Sequence, residues 1–196
     1  NQLFWDACKK LPRGSAADLI PAGRAGMFVR CRPDSGKSAM LTADQVEAYQ
    51  QNGYVTIPGM FDRETIAELR RVTDEFVQKS AQVSENDEVF DLEPGHNCKA
   101  PRLRRVNAPV EVSPAYFKAM AESPMTDFVS TLIGPNVKLH HTKINSKQPG
   151  SETNVKWHQD FPFTPHSNDS VVTALLMIDE VTEENGPLEV LPGSHT

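Results

Sequence analysis

The chain has 196 residues, enough to bury the core of one ordinary domain. Hydrophobic residues make up 38% and charged residues 23%, and no apolar run is long enough to cross a bilayer. The composition is compatible with a soluble globular protein, and no segment has the length of a membrane-spanning helix. The net charge of −6 argues against a nucleic-acid-binding surface.

Three cysteines, Cys8, Cys31 and Cys98, are far apart and form neither a disulfide framework nor a zinc-ligand spacing. A reducing cytoplasm fits them best. Residues 1–40 hold seven Lys/Arg against three Asp/Glu, together with Gly14, Ser15, Gly23, Gly26, Ser35 and Gly36. This segment reads as an irregular N-terminal arm or lid, separate from a unit spanning 41–196. Gly36-Lys37-Ser38 resembles the end of a phosphate-binding loop, but Cys31 stands where its first glycine belongs.

Thr42-Ala43-Asp44-Gln45 is a capping box that opens a short helix running through Tyr49 and stopping at Gly53. Tyr54 to Ile57 alternates and is β-branched, so it is predicted as a strand ending at Pro58. Asp62 caps a longer amphipathic helix on which Ile66, Leu69, Val72 or Thr73, Phe76 and Val77 recur at helical spacing. Residues 84–100 are polar and turn-rich and read as a loop, followed by the basic cluster Arg102, Arg104 and Arg105. Two short helices are predicted next. One starts near Pro114 and the other at Ser123-Pro124, with Gly134 as its stop.

From Val137 the texture changes. Val137 to Asn145, Asn154 to His158, Val171 to Ile178 and Leu188 to Leu191 read as strands separated by turn signals. Helices followed by short antiparallel strands predict a mainly β fold with a helical N-terminal cover.

His158-Gln159-Asp160 places an imidazole and a carboxylate two residues apart. On an extended strand they point to one face, so both can grip one metal ion and leave other positions open. This is two-thirds of the 2-His-1-carboxylate triad of non-heme iron oxygenases. Taken alone, the pair reads equally well as a surface histidine beside an acid. His140 and His141, as strand neighbours, are expected on opposite faces.

Four features in one register resemble the phytanoyl-CoA dioxygenase family. They are the Gly53-Tyr54-Val55-Thr56-Ile57 opening, Lys143-Ile144-Asn145 followed by Lys147-Gln148-Pro149, His158-Gln159-Asp160, and Glu184-Asn185-Gly186-Pro187-Leu188 leading to Pro192-Gly193-Ser194-His195. The resemblance covers roughly residues 41–196. It implies a double-stranded β-helix, or jelly roll, and an Fe(II)- and 2-oxoglutarate-dependent dioxygenase acting with O2 on a small-molecule substrate, with succinate and CO2 as coproducts. His158 and Asp160 would be iron ligands. Gln159, Lys143, Arg105 and Leu176 would line the cosubstrate pocket, Leu176 as an apolar wall.

An exposed strand lysine is the plainer reading of Lys143. The arginine cluster serves either an anionic substrate, the cosubstrate, or solvent. Relatives that halogenate replace the carboxylate, so Asp160 implies hydroxylation. In relatives the Pro192-Gly193-Ser194-His195 turn is structural. The distal histidine and the arginine that holds 2-oxoglutarate would fall beyond Thr196. Only about half of the eight strands of a jelly roll are then present, and the chain is expected to be part of a longer one. Two other readings stay open: a non-catalytic jelly-roll module, and a cupin-like metalloenzyme independent of 2-oxoglutarate.

Overall fold

The computed structural model describes residues 2–9, 28–30, 40–150, 155–163, 165, 168 and 170–196; for the first two stretches the description is of the backbone. Strands β1 (Gln2–Lys9) and β2 (Phe28–Arg30) lie in the segment expected to be an irregular arm. That expectation rested on glycine and charge content, which are blind to long-range strand pairing.

Helix α1 (Ala43–Asn52) has both halves of its capping box: Gln45 N–H donates to Thr42 Oγ1 at 3.2 Å, and Thr42 N–H donates to Gln45 Oε1 at 2.9 Å. It stops at Gly53, whose φ of +83° suits glycine. The predicted strand Tyr54 to Ile57 is not one. It alternates in burial but has no ladder partner among the described residues, and propensity without a neighbour does not build a sheet. Helix α2 (Arg63–Ser80) is capped by Asp62, which accepts from Thr65 N–H at 2.7 Å, and buries Leu69, Val72, Thr73 and Phe76 along one stripe.

The polar stretch 84–100 contains strand β3 (Phe90–Leu92). Two side chains ahead of it hold its backbone. Asp87 Oδ1 accepts from the N–H groups of Val89 and Phe90 at 2.8 and 2.6 Å, and Asn86 Oδ1 accepts from Leu92 N–H at 2.9 Å. Three residues in polar surroundings give too short a pattern to read from sequence. Strand β4 (Leu103–Asn107) follows, then a short helix α3 (Pro109–Val112) that the sequence reading missed. Helices α4 (Pro114–Ala121) and α5 (Pro124–Ile133) start where Ser113 and Ser123 cap them, each with proline at the first position. Strands β5 (Asn136–Asn145) and β6 (Val171–Met177) complete the described ladder.

The sheet is antiparallel, in the order β3-β4-β5-β1-β6, with β2 also pairing β5. β1 runs along one edge of β5. β4 lies beside residues 143–145 and β2 beside 136–138. A bulge at His140 shifts the β1–β5 register and keeps Val137, Leu139, Thr142 and Ile144 all buried. These residues, with Leu103 and Val106 of β4 and Val172 of β6, meet Leu69, Phe76, Tyr116, Met120, Met125 and Val129 of the helices in one core.

Helices account for more of the described residues than strands, so these residues form an antiparallel sheet with helices and do not bear out the expected mainly β content. Residues 155–158 and 188–191, predicted as strands, have no ladder among the described residues. Their apolar side chains, Val155, Leu188 and Leu191 among them, are exposed. Alternation alone does not make a strand without a partner to bond. No helix among the described residues is long and apolar enough to cross a membrane.

Candidate active site

His158 and Asp160 lie in a bend rather than a strand, and Phe163 N–H donates to Asp160 O at 3.0 Å to close the turn after them. They converge nonetheless. His158 Nε2 is 3.2 Å from Asp160 Oδ1, and the two side chains are 41% and 42% exposed. Three contacts aim them: His158 Nδ1 bonds Lys156 O at 2.7 Å, Thr173 Oγ1 donates to Asp160 Oδ2 at 3.3 Å, and Phe163 stands edge-on to the imidazole at 5.7 Å.

Hydrogen-bond logic tests whether a metal fits here. Nδ1 faces a carbonyl and therefore carries the hydrogen, while Nε2 faces a carboxylate oxygen. Two acceptors so close repel unless a cation, a proton or a metal ion, lies between them. A gap near 3 Å is also what two donors span when they hold one divalent ion at neighbouring positions with bonds of about 2.1 Å. Imidazole and carboxylate together suit Fe(II).

Strand register places the other candidates. Arg105 pairs with Asn145, and Asn107 with Lys143. Directly paired residues share a face, so Arg105, Asn107, Lys143 and Asn145 lie together on the side away from the helices. Thr173, which holds Asp160, is in register with Asp6 of β1, as is His141 of β5, and shares that side. Asp160 with His158 beside it, Lys143 and Arg105 are thus brought to one face of the sheet.

Arg105 donates through Nε to Asn145 Oδ1 at 3.2 Å and through Nη1 to Asp91 Oδ2 at 3.4 Å. Asp91 also accepts from Arg104 Nη2 at 3.3 Å and Asn107 Nδ2 at 3.2 Å. Arg102 donates to Gly150 O at 2.6 Å, so the basic cluster is held by its own neighbours.

Two candidates sit elsewhere. Leu176 pairs through Leu3 with Ile144 and packs on the core, the opposite face from Lys143, not the pocket wall expected of it. Its alternation was readable, but which parity faced the helices was not. Gln159 is exposed and donates to Ser194 O at 2.6 Å, turned toward the Pro192-Gly193-Ser194-His195 turn.

A model of the phytanoyl-CoA dioxygenase (PhyH) family matches residues 49–196. The chain belongs to the PhyH family. It is 33% identical over 155 residues to a probable alpha-ketoglutarate-dependent hypophosphite dioxygenase of Stutzerimonas stutzeri, covering 79% of this chain and 54% of that protein. It is 26% identical over 160 residues to an ectoine dioxygenase of Bordetella parapertussis, covering 79% of this chain and 50% of the relative. Over 164 residues it is 26% identical to the peroxisomal phytanoyl-CoA dioxygenase of Rattus norvegicus, covering 80% of this chain and 48% of the relative. The chain spans about half the length of the curated relatives it matches.

Within this PhyH chain the other histidines are engaged in other ways. His96 Nδ1 accepts from Arg102 N–H at 2.8 Å while Nε2 bonds Val83 O at 3.0 Å. His140 and His141, expected on opposite faces, are brought together by the bulge, with their Nδ1 atoms 2.7 Å apart. His166 lies outside the described residues. Among the described residues, no group of three or more His, Cys, Asp or Glu side chains is arranged to hold a metal ion. Sequence reasoning missed Thr173, Asp91 and Ser194, whose roles arise from contacts far along the chain.

Proposed function

We propose that this protein is an Fe(II)- and 2-oxoglutarate-dependent dioxygenase that hydroxylates a C–H bond of a small-molecule substrate. The carrying observation is the convergence of His158 Nε2 and Asp160 Oδ1 on the sheet face that also bears Lys143 and Arg105. Membership of a family whose relatives include an alpha-ketoglutarate-dependent dioxygenase supports the reading. Residues 41–196 are read as the N-terminal helices and first part of a jelly-roll core, and the free thiol of Cys98 suits a reducing cytoplasm.

His158 and Asp160 hold the metal from one side. Lys143 and Arg105 supply positive charge for the cosubstrate carboxylates, Arg105 kept in place by Asp91 and Asn145. Bound Fe(II) with 2-oxoglutarate supplies O2 activation, the cosubstrate leaving as succinate and CO2. Asp160 keeps its carboxylate at the position that halogenating relatives open, which favours hydroxylation.

The test is succinate formation from 2-oxoglutarate by the full-length protein supplied with Fe(II) and O2. His158→Ala and Asp160→Ala are each expected to bring it to background. Turnover at the unsubstituted rate in either variant would sink the assignment.

A further inference from the structure

The turn Pro192-Gly193-Ser194-His195 is joined to two distant parts of the chain. The last carbonyls of a helix lack partners within it. In α1, Gln50 O bonds His195 Nε2 at 3.1 Å and Asn52 O accepts from Gly193 N–H at 2.9 Å. The turn therefore caps α1 from outside. The imidazole rests on Gly53: a Cβ there would stand 2.5 Å from His195 Nδ1 and 2.6 Å from its Cγ. Glycine is thus required twice at this position, for its positive φ and for the ring above it. One residue back, Ser194 O accepts from Gln159 Nε2 at 2.6 Å. Gln159 stands between His158 and Asp160 in the chain.

We propose that His195 is a positioning residue for the metal-binding segment. Its bond to α1 fixes the turn, the turn fixes Ser194 O, and Ser194 O holds Gln159 and with it the spacing of the flanking side chains. His195 Nε2 is committed to Gln50 O, so His195 acts through the turn and not as a ligand. The inference rests on the proposal that His158 and Asp160 bind iron.

The test measures anaerobic Fe(II) affinity of the full-length protein with saturating 2-oxoglutarate, by competition with a metal-sensitive fluorescent chelator. His195→Ala and Gln159→Ala are each expected to weaken Fe(II) binding about 3-fold to 10-fold, the loss of one hydrogen bond. The double variant is expected to be no weaker than the worse single, because both break one path. His195→Gln, which keeps an N–H for Gln50 O, is expected to recover most of the affinity. Unchanged affinity in His195→Ala, or additive losses in the double variant, would overturn the role. Absence of Fe(II) binding in the unsubstituted protein would instead overturn the iron site and this role with it. Should His195→Ala fail to fold, Gln159→Ala carries the same expectation at an exposed position, with an unchanged melting temperature as its control.

Discussion

The chemistry of the site is set by which atoms face which. His158 Nδ1 bonds Lys156 O, which turns Nε2 toward Asp160. The spacing of His158 and Asp160 was legible in the sequence, although through the wrong local geometry: a bend brings them together, where a strand was predicted. Their supports were not legible, because Thr173 and Ser194 reach this segment from 13 and 35 residues away. Lys143 carries the clearest residue-scale expectation. If it pairs with a carboxylate of 2-oxoglutarate, Lys143→Ala loses a charge-assisted hydrogen bond, and the KM for 2-oxoglutarate should rise about 10-fold to 100-fold. Fe(II) affinity measured without 2-oxoglutarate should stay level. An unchanged KM would return Lys143 to the plainer reading of a strand lysine.

At the scale of elements, what the sequence announced locally was formed as announced. Thr42 with Gln45, Asp62 and Ser123 cap helices as expected, because a cap is a contact within three residues, and the helix expected near Pro114 starts there under a cap, Ser113, that was not foreseen. Strands depend on partners that no local pattern names. Hence Tyr54 to Ile57 and Leu188 to Leu191 failed to pair among the described residues, while Gln2–Lys9 entered the sheet.

The α2–α4 contact offers a test in pH. Tyr116 is buried, with its hydroxyl bonded to Thr73 Oγ1 and near Leu69 O. Burial pushes its phenol well above the ordinary value of 10.0, with Thr73 opposing the rise and Asp179 adding to it. A raised folded-state value means the folded chain keeps a proton that the unfolded chain gives up. The stabilising contribution is therefore whole below about pH 10 and declines as pH rises beyond it. Chemical denaturation between about pH 9 and pH 11 should show a steeper alkaline loss in the unsubstituted protein than in Tyr116→Phe. Parallel losses would contradict the burial of this hydroxyl.

Across the whole molecule, the sheet divides two tasks between its faces. The helix-facing side carries Val137, Leu139, Ile144 and Leu176 and holds the fold. The other side carries Arg105, Lys143 and Thr173 and gathers the site. Exposed apolar side chains concentrate at Val155, Trp157, Phe161 and Phe163, around His158 and Asp160, and at Leu188, Val190 and Leu191. On the function proposed above, this second face binds iron and 2-oxoglutarate together. The most direct measurement is an anaerobic titration of the full-length protein with Fe(II) and 2-oxoglutarate, followed by visible absorption. The expected result is a weak metal-to-ligand charge-transfer band that needs both components and is lost in His158→Ala. No band in the unsubstituted protein, or an equal band in His158→Ala, would contradict the site described.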